Sequence, residues 1–488
     1  MKRAAALLAL SALTACSMDP HYVRPTPAVP QSWPAGHAYL RQTEAALPSV
    51  SYRDIFRDPR LQAIIEQALV NNQDLRVALA NIESARALYR VQRATILPEV
   101  DASAGVTTRR GTSQGNGATG GTGSGETGSG NARRTTSYEL QAGTTAWEID
   151  LFGRLRSLSR SAFNQYLATD AAARATRLTL VADVADAWLT LAADRSLLLI
   201  AEDTANSAQT TVRLTQLRLD GGVAPRTDLR QAQTVLATAQ ADRARQMTLV
   251  AQDMNALQLL VGAPVAETLL PAAIEDADGN LAELPAGLDS TILLRRPDVV
   301  EAEYQLRAAN ARIGAARAAF FPRISLTAIA GLASTALSGL FTGGAFSWTV
   351  APSASLPIFD GGANAGNLAY ARAQRDVYVA TYQRAIQTAF REASDALARR
   401  GTIQAEMQAD QLNVTAAQDT LNLESARYRE GVDPYLNTLD AQRTFYAARQ
   451  TVVNVRLTKA QNLVDLYRTL GGDQLVEALP PKSTPSRP

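Results

Sequence analysis

The sequence predicts a membrane protein of the α+β class, built from two copies of one large unit in which pairs of short strands interrupt long helices. Three observations predict it. The chain repeats itself: Asp74 and Asp298 lie 224 positions apart (298−74), as do Pro98 and Pro322 (322−98). Ala78, Ala85, Ala87, Arg93 and Ala94 recur in that register as Ala302, Ala309, Ala311, Arg317 and Ala318, and Gly222-Val223-Ala224-Pro225 recurs as Gly431-Val432-Asp433-Pro434 at a separation of 209. Units this long indicate a duplication, not a solenoid array. In each copy, runs of about ten residues alternate apolar with small polar side chains, the pattern of membrane barrel strands. After each pair of runs comes a helical stretch that at 1.5 Å per residue would reach roughly 100 Å.

The N-terminus gives the address. Lys2-Arg3 precedes the apolar stretch Ala4 to Leu13, which is too short to span a bilayer and reads as a cleaved signal over residues 1–15. Leu13-Thr14-Ala15-Cys16 resembles a bacterial lipoprotein lipobox, which implies acylation of Cys16 (N-palmitoyl and S-diacylglycerol); Ser17, by the same resemblance, favours sorting to the outer membrane. Several acyl chains together hold a protein stably on lipid. Cys16 is the only cysteine, which excludes an internal disulfide framework. Residues 16–58 read as a lipidated linker.

Repeat 1 spans 59–262. From about Pro59 to Ile96 the pattern is helical, with Leu61, Ile64, Ile65, Ala68 and Leu69 on one face and a second run through Leu75, Leu79, Ile82 and Ala85 after Asn71-Asn72. Pro98 stops the helix, as Pro322 does in the second copy. A hairpin follows over 99–147. Val100, Ala102, Ala104 and Val106 alternate with Asp101, Ser103, Gly105 and Thr107; Tyr138, Leu140, Ala142 and Thr144 alternate with Glu139, Gln141, Gly143 and Thr145. Between them, 111–130 is nearly all Gly, Thr and Ser, a composition that reads as a flexible loop outside the cell. A long helix is expected over 153–220 and, after Gly221-Gly222 and Pro225, an antiparallel return helix over 226–261.

A connector, 263–290, leads to repeat 2 over 291–470. Its hairpin, 323–356, carries Ile324, Leu326, Ala328, Ala330 and Leu332 on one strand and Phe346, Trp348, Val350, Pro352, Ala354 and Leu356 on the other. Its long helix is expected over 362–430 and its return helix over 435–470, with a tail at 471–488. Ala-rich stripes on the long helices (Ala168, Ala171, Ala172, Ala175; Ala369, Ala373, Ala380) require close helical neighbours. The two Gly-Val-x-Pro turns read as equivalent tips.

Chemistry is excluded more readily than assigned. Net charge is +2, from 48 basic and 46 acidic residues, without a basic stripe, so nucleic acid is not an expected partner. The two histidines, His21 and His37, both lie in the N-terminal linker, and no metal-ligand cluster can be assembled. No nucleophile elbow, P-loop or dinucleotide fingerprint is present, so neither a cofactor nor an enzyme is expected. Assembly, by contrast, is required. Four strands cannot close a barrel, the smallest membrane barrels have about eight, and an open edge in lipid leaves backbone groups unpaired. The chain is therefore expected to oligomerise.

At this point a family resemblance emerges. Arg295-Arg296-Pro297-Asp298-Val299, Ala302-Glu303, Ala308-Ala309-Asn310-Ala311-Arg312-Ile313-Gly314-Ala315-Ala316-Arg317-Ala318 and Phe320-Phe321-Pro322 resemble the central signature of TolC-like outer-membrane efflux factors, in the lipoprotein branch with the OprM and NodT groups. Arg427-Tyr428-Arg429-Glu430-Gly431-Val432-Asp433-Pro434-Tyr435-Leu436 and Leu439-Asp440-Ala441-Gln442-Arg443 resemble its second hallmark, and Tyr22-Val23-Arg24-Pro25 and Leu466-Tyr467-Arg468-Thr469-Leu470-Gly471-Gly472 fit its two ends. Ser51-Tyr52 departs from the tryptophan many members carry there.

The resemblance implies a homotrimer: a twelve-stranded outer-membrane β-barrel, four strands per chain, continuing into a twelve-helix periplasmic α-barrel tunnel. It implies partnership with a periplasmic membrane-fusion adaptor and an inner-membrane RND transporter, the channel itself being a passive conduit for small molecules. It also implies a periplasmic gate at the tips, carried by motif onto Tyr428, Leu436, Asp440 and Arg443. Asp440 and Arg443 stand at i, i+3 and could pair on one helix face; their repeat counterparts are Gln231 and Thr234, so the charges belong to one tip only. Asp228 is the nearest acid on the first tip. Competing readings are a TolC-type exit duct for protein secretion, which shares fold and gate, and a coiled-coil adhesin, which leaves the duplicated hairpins unexplained.

Overall fold

The computed structural model describes residues 18–27, 29–30, 32–34, 36–39, 51–111, 133–281 and 290–472. Cys16, with the leader before it, and the Gly/Thr/Ser stretch 112–130 lie outside the described residues; Gly111 closes a strand. In chain order the elements are α1 (Tyr52–Ile55), α2 (Pro59–Asn71), α3 (Gln73–Ala94), β1 (Asp101–Gly111), β2 (Arg133–Ile149), α4 (Arg154–Asp220), α5 (Arg226–Val261), α6 (Ile274–Ala277), α7 (Pro297–Ala318), β3 (Arg323–Ser334), β4 (Phe346–Ser355), α8 (Ala363–Arg429) and α9 (Tyr435–Thr469), with short 3-10 turns between. Among the described residues no helix is long and apolar enough to cross a membrane. The chain divides into two compact units, one holding the strands and the other most of the helical residues.

The first unit takes in residues up to Val23, 85–166 and 305–378. Its centre is one antiparallel sheet in the order β1-β2-β3-β4, so β1 and β4 are open edges. Register sorts the side chains by face. Ala104 sits opposite Leu140, which pairs with Leu332, which pairs with Phe346; one step along, Gly105 sits opposite Glu139, then Ala333. The Ala/Val/Leu/Trp positions share one face and the Ser/Thr/Gly positions most of the other, where Ser325 and Ser353 hydroxyls lie 2.8 Å apart.

Strict alternation along β2 would break this sorting, because it puts Glu148 on the apolar face. The structure corrects it with a β-bulge: register shifts between Thr144, opposite Ala328, and Trp147, opposite Leu326. The extra residue, Ala146, takes φ 53, an uncommon conformation for a side-chain-bearing residue, and its N–H donates to Thr327 Oγ1 at 3.2 Å. Trp147 and Ile149 thereby stay apolar-side and Glu148 moves to the polar side. There Arg154 holds it bidentately at 2.8 and 2.6 Å, with Arg323 at 3.5 Å. The sequence pattern could not show this, since a bulge leaves no period of its own.

The helices before β1 and β3 end alike. α3 stops four residues before Pro98 and α7 four before Pro322, each finishing in i→i+3 bonds: Leu97 N to Ala94 O at 2.9 Å, Phe321 N to Ala318 O at 3.1 Å. The proline bars helix at the residue before it, and the last turn tightens to satisfy its carbonyls. Asp19, three residues beyond Cys16, is seated against α4 and α7: Ser157 Oγ and Arg160 Nε each donate to it at 2.6 Å. A Cβ on Gly314 would lie 1.8 Å from its carboxyl oxygen, so only glycine admits it.

The second unit, residues 24–84, 167–304 and from 379 on, holds the main apolar core. Trp188 is fully enclosed, its indole N–H donating to Leu269 O at 3.1 Å, and Phe56 meets Tyr467 edge-on at 5.5 Å. Asn72 separates α2 from α3: its Oδ1 caps the Leu75 N–H and its Nδ2 donates to Leu260 O, both at 2.8 Å. Arg296, nearly buried, binds Asp298 at 2.8 Å and Glu392 at 3.0 Å and donates to Thr469 O. The Arg-Pro-Asp signature is thus a structural clasp, because a buried guanidinium needs all its donors engaged. Inside α8, Gly401 lets Ala38 O approach where a Cβ would stand 2.0 Å away.

The bulge makes a direct prediction. If the sheet lies in a membrane as the sequence predicts, single cysteines introduced into the inserted protein should differ: Glu148→Cys should react with a water-soluble, membrane-impermeant maleimide and Trp147→Cys should not. The reverse pattern would mean that β2 keeps strict alternation.

Candidate functional site

The two tips are built by the same local chemistry. α4 ends in a Schellman turn, with Gly222 at φ 72, Val223 N bonded to Arg218 O at 2.9 Å and Gly222 N to Leu219 O at 2.9 Å. α8 ends identically, with Gly431 at φ 74, Val432 N to Arg427 O at 2.9 Å and Gly431 N to Tyr428 O at 3.1 Å. Glycine at the left-handed position satisfies the last carbonyls without a Cβ penalty. Pro225 and Pro434 then open α5 and α9.

The chemistry diverges on this shared frame. Arg218 and Arg427 are repeat counterparts (427−218 = 209). Arg427 pairs with Asp433 in its own turn. The counterpart of Asp433 is Ala224, so Arg218 lacks the partner that Arg427 has, and Asp220 beside it accepts from Gln216 Nε2 at 2.8 Å. Arg218 crosses to the other tip instead, its guanidinium 4.6 Å from the Tyr428 ring centroid and its Nη1 donating to Tyr428 O at 3.3 Å. Tyr428 in turn meets Tyr435 at 5.2 Å, and Tyr435 is buried against Ala232 and Leu439. Burial pushes the Tyr435 hydroxyl up to about 12. Burial also raises the Asp228 carboxyl, with the Arg218 charge opposing it.

The structure therefore gathers Tyr428 and Asp228 around Arg218, a residue that motif reasoning passed over. The signal was available, because the 209-residue register maps Arg427 onto Arg218 and Asp433 onto Ala224. Leu436, Asp440 and Arg443 lie elsewhere on α9 and are exposed. The expected pairing of Asp440 with Arg443 is not made: among the described residues no ion pair joins them. An exposed i, i+3 pair is worth only a few tenths of a kcal/mol, too little to hold two solvated side chains in one geometry. Arg443 instead lines a cavity of about 250 Å³ with Phe445, Tyr446 and Arg449. Cys16 lies outside the described residues.

The family model described as "Outer membrane efflux protein" matches residues 64–263 and 288–472. The chain belongs to that family. It is 43% identical over 465 residues to the probable efflux pump outer membrane protein TtgC of Pseudomonas putida, covering 94% of this chain and 93% of that one. It is 40% identical over 468 residues to the outer membrane protein OprJ of Pseudomonas aeruginosa, covering 96% and 95%. Among solved structures, the open state of the MtrE outer membrane channel of Neisseria gonorrhoeae matches with a TM-score of 0.82 at 34% identity, covering 94% of this chain and 99% of that one. The family and TtgC are named for efflux and all three relatives for the outer membrane, so the secretion-duct reading gains no support, and the outer membrane is the location.

The Arg218 clasp is testable without reference to transport. A cation–π contact of this kind is worth about 0.5–2 kcal/mol. Arg218→Ala should therefore raise amide hydrogen exchange across 424–440 by on the order of tenfold, and Arg218→Lys should recover only part of it. Unchanged exchange in the alanine variant would remove the clasp from the account.

Proposed function

We propose that this chain is the outer-membrane channel of a tripartite efflux pump, a passive conduit and not an enzyme. Three copies close a twelve-stranded barrel, their helices continue it as a periplasmic tunnel, and a periplasmic adaptor and an inner-membrane RND transporter feed it. The observation that carries this reading is the sheet: apolar side chains on one face, hydroxyl and glycine positions on most of the other, and the outer edges of β1 and β4 open among the described residues. That is the arrangement of a barrel wall with lipid outside and water inside. A relative named for toluene efflux, 43% identical over 465 residues, supports small apolar solutes as cargo. Acylation of Cys16 would add a second attachment to the outer membrane.

The gate reading for Asp440, Arg443 and Leu436 gains a physical basis from their exposure on α9. Since Asp440 and Arg443 do not pair within the chain, their partners would come from neighbouring copies around the pore. There three carboxylates form a ring that favours cations, and Leu436 narrows the opening by bulk. Arg218, Tyr428 and Asp228 hold the two tips of one copy together behind that ring.

The deciding experiment is removal of the gene. Loss of the chain should raise intracellular accumulation of an apolar dye and lower tolerance to toluene, and the wild-type chain supplied in trans should restore both. Accumulation equal to that of the parent strain would overturn the efflux assignment.

A further inference from the structure

The end of the first hairpin farthest from the helices concentrates positive charge. On the apolar face, β1 and β2 pair rung by rung: Ala102 with Ala142, Ala104 with Leu140, Val106 with Tyr138, Thr108 with Thr136, and Arg110 with Arg134. The ladder thus runs from aliphatic through aromatic and hydroxyl side chains to two guanidinium groups side by side. Arg109, on the other face, stands opposite Thr135. Arg109, Arg110 and Arg134 are exposed, and among the described residues their side chains make no hydrogen bond or ion pair.

Like charges directly opposite each other on a sheet repel, because their Cβ atoms are only about 4.5–5.5 Å apart. Arginines at the base of the same hairpin are handled differently: Arg154 is paired with Glu148, and Arg156 with Asp150. No such balance exists at the far end. Residues 107–137 and 335–345, which join the strands of the two hairpins, include Arg109, Arg110, Arg133 and Arg134 but a single acid, Glu126.

Depth identifies the layer in which the arginine pair sits. Between Ile149 and Tyr138, both on the apolar face, β2 contains one bulged residue at Ala146. At about 3.4 Å per residue and the 35–45° tilt of barrel strands, that stretch spans roughly 25 Å of depth. This is the height of the apolar band of an outer-membrane barrel, and it puts Tyr138 where an aromatic girdle belongs. Arg110 and Arg134 lie four residues beyond the Val106–Tyr138 rung, about 10 Å further out, at the level of the lipid headgroups.

We propose that Arg110 and Arg134 form a clamp for the phosphorylated glycolipid of the outer leaflet, lipid A, with one phosphate bridging the two guanidinium groups. The inference rests on the barrel reading above and adds a ligand to its lipid-facing wall. A bound phosphate removes the repulsion within the pair, and each guanidinium presents a planar fork that matches phosphate oxygens. Thr108 and Thr136, one rung inward with hydroxyls 3.1 Å apart, supply further donors to the same headgroup. Position selects a lipid over a soluble anion. The pair continues the face that packs on hydrocarbon, so a phosphate tethered to acyl chains is held against it by the chains below. Arg109, on the opposite face, takes no part.

Native mass spectrometry of the full-length protein in detergent tests the clamp. Wild-type protein should bind lipid A carrying two phosphates in preference to the same lipid dephosphorylated, by on the order of tenfold. Arg110→Gln with Arg134→Gln should abolish that preference and leave the oligomeric mass unchanged. Arg110→Lys with Arg134→Lys should keep part of it, because the charge stays and the fork is lost. Arg109→Gln should leave it intact. Equal binding of the two lipids, or a preference that survives the double glutamine variant, would overturn the clamp. Displacement of lipid A by inorganic phosphate would overturn the lipid as its occupant. Conductance in planar bilayers separates this result from the channel reading. Protein that conducts but shows no phosphate preference contradicts the clamp alone, and protein that never conducts contradicts the barrel itself.

Discussion

The channel proposed for this chain answers to one constraint: a β-sheet in lipid cannot leave an edge. Backbone N–H and C=O groups facing hydrocarbon cost several kcal/mol each, and β1 and β4 both present such a row. The four strands of one chain have too few members to curl and meet. In the proposed channel the fold is therefore incomplete as a monomer, and the duplicated hairpin and the sorted faces suit closure with copies of itself. Bulge placement fits the same constraint, because it keeps Glu148 off the apolar face and on the side where Arg154 binds it.

Duplication supplies the second theme. Both copies keep the parts that make the frame: the proline after each strand-leading helix, the Schellman turn at each tip, the proline that opens each return helix. They part where chemistry is needed. Asp433 beside Arg427 gives one self-contained tip, and Ala224 beside Arg218 gives a tip that reaches across to Tyr428. Likewise Glu148 with two arginines locks the base of β2 to β3, while its repeat counterparts Ser355, Ala363 and Glu99 offer no such clasp.

Much of this was legible in the residues. Period-two alternation located all four strands, and the Gly-Val-x-Pro turns located both tips, because each rests on local backbone chemistry. Arg296 was legible only as a motif; its burial against Asp298, Glu392 and the Thr469 carbonyl depends on chain segments far apart in sequence. The bulge at Ala146 was invisible, since one extra residue shifts the phase without breaking the pattern. At the tips, spacing suggested that Asp440 pairs with Arg443, but solvated neighbours on a helix have little reason to do so. The buried contact of Arg218 with Tyr428 lies across the repeats, where spacing along one helix carries no information.

The central claim, that one chain cannot close its own sheet, has a direct measure in the native mass of the purified protein. In detergent the account predicts a single species of three chains, three times the 52.1 kDa chain mass less the cleaved leader. A stable, monodisperse species of one chain that conducts across a bilayer would contradict it.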